Sequence, residues 1–388
     1  MVFVPEDRIE QIMKSKRCFN TLQILRALAF LGIFFFHTTL LPDVFSRWSI
    51  TVFLMLSGFL NAVHGCDKDI DCNPGASWKY AQRKIGRIYP LHLVMLVIAF
   101  VLYAYSVKDA IRDVLWERLP IAIGKLASNA LLISDWGPKS GWWYNIFSEY
   151  NIVSWYLSLS LLLFFLTPLF LRIMHRFYGS EKAKAFMLPR VLLISALIYA
   201  LTIVINIMLV NHYKDSSMLY IYESPLSRVG DYLIAMQAGY FYGQKGKKQK
   251  YQHMALPVII VVMALAVSIF LIYVGIPRNN VIPADYSWIM NSGFYFTIPS
   301  VILIYHLVTL EGINALKLND SRTIDMITKP LLVIASLSQY AFLIHVPAIS
   351  LMHGILRRIG DVNIWLWSLI SFVLTVLLSV VVDRCKKR

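Results

Sequence analysis

Residues 255–275 read ALPVIIVVMALAVSIFLIYVG, a stretch without a single Asp, Glu, Lys or Arg. Because an α-helix rises about 1.5 Å per residue, this stretch would cross roughly 30 Å as a helix, which is the thickness of the hydrocarbon core of a bilayer. A helix can cross lipid because all of its backbone hydrogen bonds are internal. The stretch therefore predicts a transmembrane helix.

Similar apolar stretches recur along the chain, which is 58% hydrophobic and only 15% charged over its 388 residues. A soluble domain of this length cannot bury so much apolar surface, whereas apolar side chains in lipid need no protein partner. Ten stretches are long enough to span the bilayer: 22–42, 47–64, 88–107, 152–174, 190–211, 226–243, 255–275, 288–310, 330–354 and 363–382. We therefore predict an all-α polytopic membrane protein with about ten transmembrane helices, formed by a single domain over residues 1–388.

The Lys and Arg residues between the stretches predict the orientation of the chain. They outnumber Asp and Glu by 37 to 22, which gives a net charge of +15. They concentrate in every second connection, as at 79–87, 172–190 and 245–250, and connections of this kind face the cytoplasm. We expect both termini to be cytoplasmic and the protein to lie in the cytoplasmic (inner) membrane among its lipids, with no nucleic-acid partner.

The ends of the chain and its cysteines agree with this orientation. The first 20 residues are polar and basic and lead into a full-length stretch, which favours a cytoplasmic segment at 1–20 over a cleaved signal peptide. The cysteines all fall on the predicted cytoplasmic side, where thiols persist: Cys18, Cys66, Cys72 and Cys385. Cys66 and Cys72 could share a metal ion, but no further ligand pair completes such a set, so no metal site is predicted.

One connection, residues 108–151, is much longer than the others and is predicted to be extracytoplasmic. Its middle part, 122–134, is compatible with a helix lying on the membrane surface. Its last part is rich in aromatic residues and glycine, as at 136–138 and 141–144. These rings could stack on sugars, since long loops often carry function, or could rest in the headgroup layer. The sequence leaves both interpretations open.

The first stretch contains two ionisable side chains, Arg26 and His37, which are eleven residues apart. Eleven residues correspond to about 16 Å along a helix, and eleven rotations of about 100° return to nearly the same side of it. A charge inside a span is costly unless it faces a polar interior, so the pair predicts a polar track across the bilayer. The alternatives are an Arg that snorkels to the interface and a His that bonds to a neighbouring helix.

Two further groups of charged residues have more than one interpretation. Arg83, Lys84 and Arg87 precede the third stretch at the predicted cytoplasmic mouth, where they could bind phosphates, orient the chain or bind anionic lipid. Arg228 and Asp231 of the sixth stretch are three residues apart, a spacing at which side chains pair on a helix. Such a buried pair can be structural or catalytic.

Five motifs, taken in order, resemble those of the acyltransferase-3 family of membrane acyltransferases and together cover essentially the whole chain. No single motif is specific, but the ordered set is. The motifs are the Arg-ten-residues-His spacing of Arg26 and His37, Phe53–Leu60 (Phe-x-x-x-Ser-Gly-Phe), Lys84–Pro90 (Arg-x-x-Arg-Ile-x-Pro, with Lys84 for the first Arg), Arg228–Tyr232 (Arg-x-x-Glu-Phe, with Asp231 for Glu) and Gln339–Pro347 (Tyr-x-x-x-x-His-x-Pro, with His345).

The fourth stretch departs from the family pattern. Many members have Trp-Ser-Leu-Ser-x-Glu there, whereas this chain has Trp155, Leu157 and Ser158 but Ser160 in place of Glu. Members that begin with Trp-Phe/Tyr-Leu are similar and also lack the Glu. A mechanism that needs this carboxylate is therefore in question here, and Glu149 is the candidate for a substitute.

The resemblance implies transfer of an acyl group, most often acetyl, from cytoplasmic acyl-coenzyme A to a hydroxyl of an extracytoplasmic glycan or lipid-linked sugar. His37 is expected to act as general base or as covalent acyl carrier, and Arg26 to hold the donor's pantetheine arm or stabilise the thioester oxygen. Basic residues at the mouth should bind the donor's phosphates: Arg83, Lys84 and Arg87. The residues expected to support the site are Trp155, Ser158, Arg228, Asp231 and His345. Acetyl-coenzyme A is the expected co-substrate, with no permanently bound cofactor.

Two other classes of protein also place polar residues inside spans. One is a transporter or flippase for a glycan or lipid-linked intermediate, but the chain shows no inverted repeat and no matching pair of Gly/Pro-broken helices. The other is a structural subunit of a glycan assembly complex that has lost its catalytic residues. The presence of Arg26 and His37 argues against this second class. Binding of acyl-coenzyme A would separate the enzyme from both.

Overall fold

The computed structural model describes residues 19–68, 70–111, 115–139, 141–214, 217–244, 255–275, 293–312, 322–358, 360 and 362–386. Within these ranges every regular element is helical. The predictions for the N-terminal segment before residue 19, including Cys18, lie outside the described residues. So do those for the connections 245–254, 276–292 and 313–321.

The helices follow the predicted stretches closely, because each apolar run continues as a helix until polar residues end it, even where the run contains Pro, as at Pro168 and Pro347. In chain order they are α1 (Asn20–His37), α2 (Asp43–Gly65), α3 (Pro74–Ile85), α4 (Tyr89–Ile111), α5 (Leu115–Ala130), α6 (Gly141–Tyr144), α7 (Trp155–Tyr178), α8 (Glu181–Ala185), α9 (Met187–Tyr213), α10 (Ser217–Tyr222), α11 (Pro225–Gln244), α12 (Ala255–Gly275), α13 (Thr297–Gly312), α14 (Arg322–Leu356) and α15 (Ile364–Cys385). Short 3₁₀ turns precede α7 and α13.

Nine helical segments of the described part are long and apolar enough to cross a membrane. The predicted stretch 226–243 forms α11, which is more polar than these nine because it contains Arg228, Asp231 and Gln237. Most of its side chains are buried against other helices, so it needs less apolar surface than a helix that faces lipid. The predicted all-α, polytopic membrane fold is confirmed.

Helices α2 and α11 form the centre of the bundle, and two glycines let them approach closely. A Cβ atom at Gly58 would lie 2.5 Å from the carbonyl oxygen of Tyr232, and one at Gly239 would lie 2.3 Å from that of Phe59. Small residues at such crossings are typical of membrane helix pairs, whose backbones then pack against each other. Gly58 therefore has a packing role in this crossing.

The ion pair predicted within α11 is present and lies in the core. Nη1 of Arg228 is 3.1 Å from Oδ2 of Asp231, and Nη2 of Arg228 donates to the hydroxyl of Thr51 on α2 at 3.0 Å. The hydroxyl of Thr297 on α13 donates to the other carboxylate oxygen of Asp231. The pair therefore joins three helices, and it lines neither of the cavities described below.

We call the end of the bundle where α1 begins and α2 ends the inner face, and the opposite end the outer face. Glu311, at the end of α13, accepts hydrogen bonds from the backbone of Asn20 and Thr21, which fixes the start of α1 at the inner face. The Lys84 ammonium on α3 contacts Asn61 near the end of α2, so α3 also lies there. The inner face therefore carries the Arg- and Lys-rich residues 79–87.

The long connection does not form a helix across the membrane surface. Its helix α5 ends beside the first turn of α4, where the Tyr89 hydroxyl donates to the carbonyl of Ala130 at 2.8 Å. A ring nitrogen of His92 lies 3.0 Å from the carbonyl oxygen of Asn129. Because α4 begins at the inner face, α5 runs back along α4 toward the interior, and the predicted surface placement of 122–134 is wrong. Buried bonds of its backbone compensate for this depth.

Candidate active site

A large cavity at the inner face, here the inner cavity, contains all the basic residues predicted to bind phosphates. Its volume is about 880 Å³, and it extends inward to Arg26 on α1 and Ser160 on α7. Its other polar lining residues are Asn61, His64, Lys68, Asp71, Tyr80, Arg83, Lys84, Arg87, Tyr156 and Gln339. Five Lys and Arg residues against one Asp make this cavity suited to an anionic ligand.

Asn61 organises the polar wall of the inner cavity. Its side-chain oxygen accepts from the Lys84 ammonium at 2.6 Å and from the Tyr80 hydroxyl at 3.1 Å. Its amide donates to the hydroxyl of Tyr232 at 2.8 Å. Partial burial, followed by the repulsion of Arg87 and other nearby cations, lowers the pKa of Lys84. A bound anion would relieve this repulsion.

Arg26 faces this cavity and not the lipid. Its guanidinium donates to the side chain of Gln23 at 3.3 Å, and Tyr156 and Ser160 of α7 line the same cavity. The snorkelling alternative needs the side chain to leave the protein interior for the headgroup layer. The placement of Arg26 is that of a cation inside a polar, protein-lined space.

A smaller pocket, here the outer pocket, lies at the other end of α1 and contains His37. Its volume is about 200 Å³. Its polar wall consists of His37, Glu223 and the ion pair of Asp43 with Arg47. The other lining residues are Ile33, Phe36, Ser46, Ile50, Ile152, Val153, Trp155, Tyr222 and Phe342. The two ionisable residues of α1 therefore line two different cavities.

The imidazole of His37 lies beside that of His345 on α14, with ring centroids 5.1 Å apart. His345 is fully buried, and its Nδ1 lies 3.2 Å from the carbonyl oxygen of Ala341. The rings of Phe30 and Phe34 pack within about 6 Å of His345. His345 therefore supports one side of His37, while the other side faces the outer pocket.

One layer of aromatic rings, here the aromatic layer, separates the two cavities. Trp155 lines the outer pocket, and the next residue, Tyr156, lines the inner cavity. The ring of Tyr156 is 5.3 Å from that of Phe342, which lines the outer pocket, and 6.5 Å from that of Phe53. The rings of Tyr156 and Phe342, one lining each cavity, are thus in contact within the layer that Phe53, Tyr156 and Phe342 form.

A buried cluster at the outer face, here the Lys139 cluster, centres on one lysine and three carboxylates. The ammonium nitrogen of Lys139 is 3.1 Å from Oε2 of Glu223, 3.4 Å from Oδ1 of Asp135 and 3.6 Å from Oε1 of Glu149. Its backbone N–H donates to the hydroxyl of Tyr220 at 2.7 Å. These bonds hold the long connection against the segment that precedes α11.

The Lys139 cluster shifts the titration of its members. Burial lowers the pKa of Lys139, but its three carboxylates outweigh burial and the net pKa is raised. Burial raises the pKa of Glu223 to about 7 although Lys139 opposes the shift. Burial also raises the pKa of Asp135 and Glu149. One cation cannot neutralise three carboxylates. Near neutral pH the cluster therefore either carries a net negative charge or binds a proton on one of its carboxylates.

A comparison with known protein families shows to which family the chain belongs. A family model described as an acyltransferase domain matches residues 19–384. The chain belongs to the acyltransferase-3 family. The membership of this family of membrane acyltransferases that the motifs predicted is confirmed.

One curated relative matches a smaller part of the chain. The acyltransferase MdmB of Streptomyces mycarofaciens is 27% identical over 146 residues, which is 37% of this chain and 32% of that protein. The match therefore spans about a third of the length of this curated relative. No solved structure matches the chain significantly.

The supporting residues predicted for this acyltransferase fall into two groups. Trp155 lines the outer pocket, and His345 contacts His37. Ser158 instead anchors the long connection, because its hydroxyl accepts from the backbone N–H of Asp135 at 3.1 Å. Its carbonyl oxygen accepts from the indole of Trp136 at 3.1 Å.

Glu149 does not replace the family's fourth-span carboxylate. Ser160, which occupies that position in this acyltransferase, lines the inner cavity, whereas Glu149 belongs to the Lys139 cluster and does not line that cavity. The reason is that α7 carries Ser160 toward the inner face while the residues before Trp155 remain at the outer end. Ser160 is thus left without a carboxylate substitute from Glu149.

The sequence interpretation missed two functional candidates, Glu223 and Lys139. Both lie in connections, and 84 positions separate them, so no local spacing relates them. The only local signal was Asp135 four residues before Lys139, a spacing that indicates an ion pair on a helical turn. Asn61 was also missed, as one polar residue within an apolar stretch.

Proposed function

We propose that this membrane acyltransferase transfers an acyl group, acetyl in the first instance, from acyl-coenzyme A in the inner cavity to a hydroxyl of a glycan or lipid-linked sugar in the outer pocket. The inner face is then cytoplasmic, as the positive-inside rule indicates. The product is an O-acylated sugar of the cell surface, made at the cytoplasmic membrane.

One observation carries this proposal: cavities that enter from opposite faces end on either side of a single aromatic layer. Tyr156 and Trp155, which are consecutive residues, line the two different cavities. A donor held on one side and an acceptor held on the other are therefore separated by the contacting rings of Tyr156 and Phe342. A side-chain movement in the layer would bring the two together, which a transfer between compartments requires.

The inner cavity has the chemistry of a coenzyme A site. The phosphates of the donor cannot enter lipid, and they would bind Arg83, Lys84 and Arg87 at the mouth, where Arg offers bidentate contacts. Arg26 lies deeper on the same wall. It would hold the pantetheine arm or donate to the thioester oxygen, on which negative charge develops during attack.

His37 is the base that the outer pocket offers to an acceptor hydroxyl. The hydroxyl oxygen attacks the thioester carbonyl carbon while its proton passes to the imidazole. The carbon–sulfur bond then breaks, coenzyme A leaves as a thiolate, and the thiolate takes a proton from the imidazolium or from water. In the covalent variant the imidazole itself attacks the thioester carbonyl carbon, the carbon–sulfur bond breaks and coenzyme A leaves as a thiolate. The hydroxyl oxygen then attacks the acyl-imidazole, the carbon–nitrogen bond breaks, and the hydroxyl proton passes to the thiolate or to water.

The test uses the protein in oriented membrane vesicles supplied with acetyl-coenzyme A that is radiolabelled in the acetyl group. We expect alkali-labile label on the polysaccharide or lipid-linked sugar fraction only when the donor is on the side of the inner face. The variant His37→Ala should reduce the transfer rate by at least about 100-fold, the usual contribution of a general base.

A matched control is His353→Ala, because His353 packs beside Trp367 and lines neither the inner cavity nor the outer pocket. This variant should transfer label at the wild-type rate. Transfer by His37→Ala at the rate of His353→Ala would remove His37 from the mechanism. Label that never leaves coenzyme A in wild-type vesicles containing sugar acceptors would refute the proposed reaction.

A further inference from the structure

The outer pocket contains two carboxylates, and only one of them is committed to a cation of its own. Asp43 pairs with Arg47, one helical turn further along α2. Glu223 bonds to Lys139, but Lys139 also attracts Asp135 and Glu149. Glu223 is therefore the lining carboxylate whose negative charge is least neutralised.

Glu223 also retains hydrogen-bonding capacity. An ionised carboxylate offers about four lone-pair sites, and the bond from Lys139 to Oε2 occupies one of them. The backbone N–H of Glu223 donates to the carbonyl of Leu219 at 3.0 Å, which fixes the residue at the end of α10. A held carboxylate on the wall of a pocket is a suitable acceptor for a ligand O–H group.

The wall next to Glu223 has the composition of a sugar subsite. The ring of Tyr222 is 5.4 Å from that of Trp155, and both rings line the pocket. The hydroxyl of Tyr222 is already bonded to that of Ser46 at 2.7 Å. The aromatic pair thus presents mainly apolar ring surface, while Glu223 and His37 are the polar groups beside it. Sugars combine an apolar ring face with hydroxyls at its edge, and this pocket matches both.

We propose that Glu223 binds the acceptor by accepting a hydrogen bond from the sugar hydroxyl next to the one that reacts at His37. The substrate class is therefore a sugar with two neighbouring free hydroxyls, one for each residue. This inference rests on the proposed function, because it assumes that the outer pocket holds the acceptor. Glu223 takes no proton in the reaction; the proton of the attacking hydroxyl goes to His37.

The Lys139 cluster supplies a matched control for Glu223. Glu149 is also a buried carboxylate bonded to Lys139, but it does not line the outer pocket. Glu223→Gln and Glu149→Gln therefore remove the same charge from the same lysine, and only the first changes a pocket-lining group. Any effect on folding of the long connection should appear in both variants.

The experiment measures binding of methyl α-D-glucopyranoside and its four mono-deoxy analogues to the full chain in lipid nanodiscs, by saturation-transfer NMR and without an acyl donor. At about pH 8 we expect Glu223→Gln to raise the Kd of the parent sugar a few-fold, since a charge-assisted hydrogen bond is replaced by a weaker neutral one. Glu149→Gln should bind as the wild type does. One deoxy analogue should bind the wild type more weakly than the other three do, and its loss of affinity relative to the parent sugar should be smaller in Glu223→Gln than in the wild type.

Two results would overturn the inference. One is equal weakening of sugar binding in Glu223→Gln and Glu149→Gln, which would give the cluster a structural role only. The other is the absence of saturable sugar binding to the wild type. Because no donor is present, neither result bears on acyl transfer from acetyl-coenzyme A, which the labelled-donor assay decides separately.

Discussion

The inner cavity and the outer pocket differ in size and in charge. The inner cavity measures about 880 Å³ and carries five Lys and Arg residues, whereas the outer pocket measures about 200 Å³ and pairs its Arg47 with an acid. A large cationic cavity suits a long polyanion, and a small pocket with one imidazole and one under-neutralised carboxylate suits a neutral hydroxylated ring. The difference teaches that, under the proposed function, the inner cavity suits the donor and the outer pocket suits the acceptor.

The same comparison locates the reaction. A donor the size of coenzyme A does not fit the outer pocket, and His37 does not line the inner cavity. Only the thioester end of the donor can therefore reach the acceptor, through the aromatic layer. The layer would then serve as the barrier that keeps water and bulky groups from crossing with the acyl chain.

Among the tests of this comparison between the two cavities, the largest expected effect concerns the charge of the inner cavity. Replacing Arg87 by Glu reverses a charge at the mouth, so we expect the KM for acetyl-coenzyme A to rise by about ten- to a hundred-fold through loss of charge-assisted phosphate contacts. The Kd for the sugar should stay unchanged, because Arg87 lies on the other side of the aromatic layer. Donor titration of initial rates measures the first quantity, and sugar binding measures the second.

The control for this prediction is Arg176→Glu, which makes the same charge change near the inner end of α7 without altering the cavity lining. It tests whether the general positive potential of the inner face is enough. If Arg87→Glu and Arg176→Glu raise the donor KM equally, the phosphates do not bind at Arg87. The cluster would then serve orientation or lipid binding.

Local pattern was sufficient to predict the helices and the residues that share one helix. Apolar runs predicted the spans, and the spacing of Arg228 and Asp231 predicted their pair. The spacing of Arg26 and His37 predicted one polar track, whereas the structure has two cavities with aromatic rings between them. Hydropathy does not predict the path of an irregular connection. The return of α5 along α4 toward the protein interior was therefore not predictable. The same holds for Glu223 and Lys139, which meet only because two connections fold onto the outer face.

An intermediate effect is expected from opening the aromatic layer. Phe342→Ala removes one ring of the layer and should admit water to the thioester, so hydrolysis of acetyl-coenzyme A in the absence of sugar should increase several-fold. Phe164→Ala is the matched control, because Phe164 lines the inner cavity but does not belong to the layer. Release of free coenzyme A, followed with a thiol reagent, measures both variants.

Loss of a buried phenyl ring costs about 3–5 kcal/mol of stability, so both variants should first be compared by thermal unfolding in detergent. Folded Phe342→Ala that hydrolyses the donor no faster than Phe164→Ala would contradict the role given to the layer. In that case another element must exclude water from the donor.

The smallest expected effect is the pH dependence of sugar binding to the outer pocket. Burial raises the pKa of Glu223 to about 7. Above that pH the carboxylate is ionised and accepts strongly; as the pH falls through 7 it becomes a neutral acid, which accepts about half as strongly. Sugar affinity of the wild type should therefore fall a few-fold between about pH 8 and about pH 6.

Other groups near Glu223 also titrate or carry charge, and the variants separate their contributions. They are Asp135, Lys139 and Glu149 of the cluster, Tyr144 and Tyr222, Asp43 and Arg47 of α2, and His37 of α1. All of them remain in Glu223→Gln, so any pH dependence they cause should persist in that variant. The few-fold fall should be absent in Glu223→Gln and present in Glu149→Gln. A fall of equal size in wild type and Glu223→Gln would assign the titration to His37 or to the rest of the cluster, because the substituted side chain has no proton to gain.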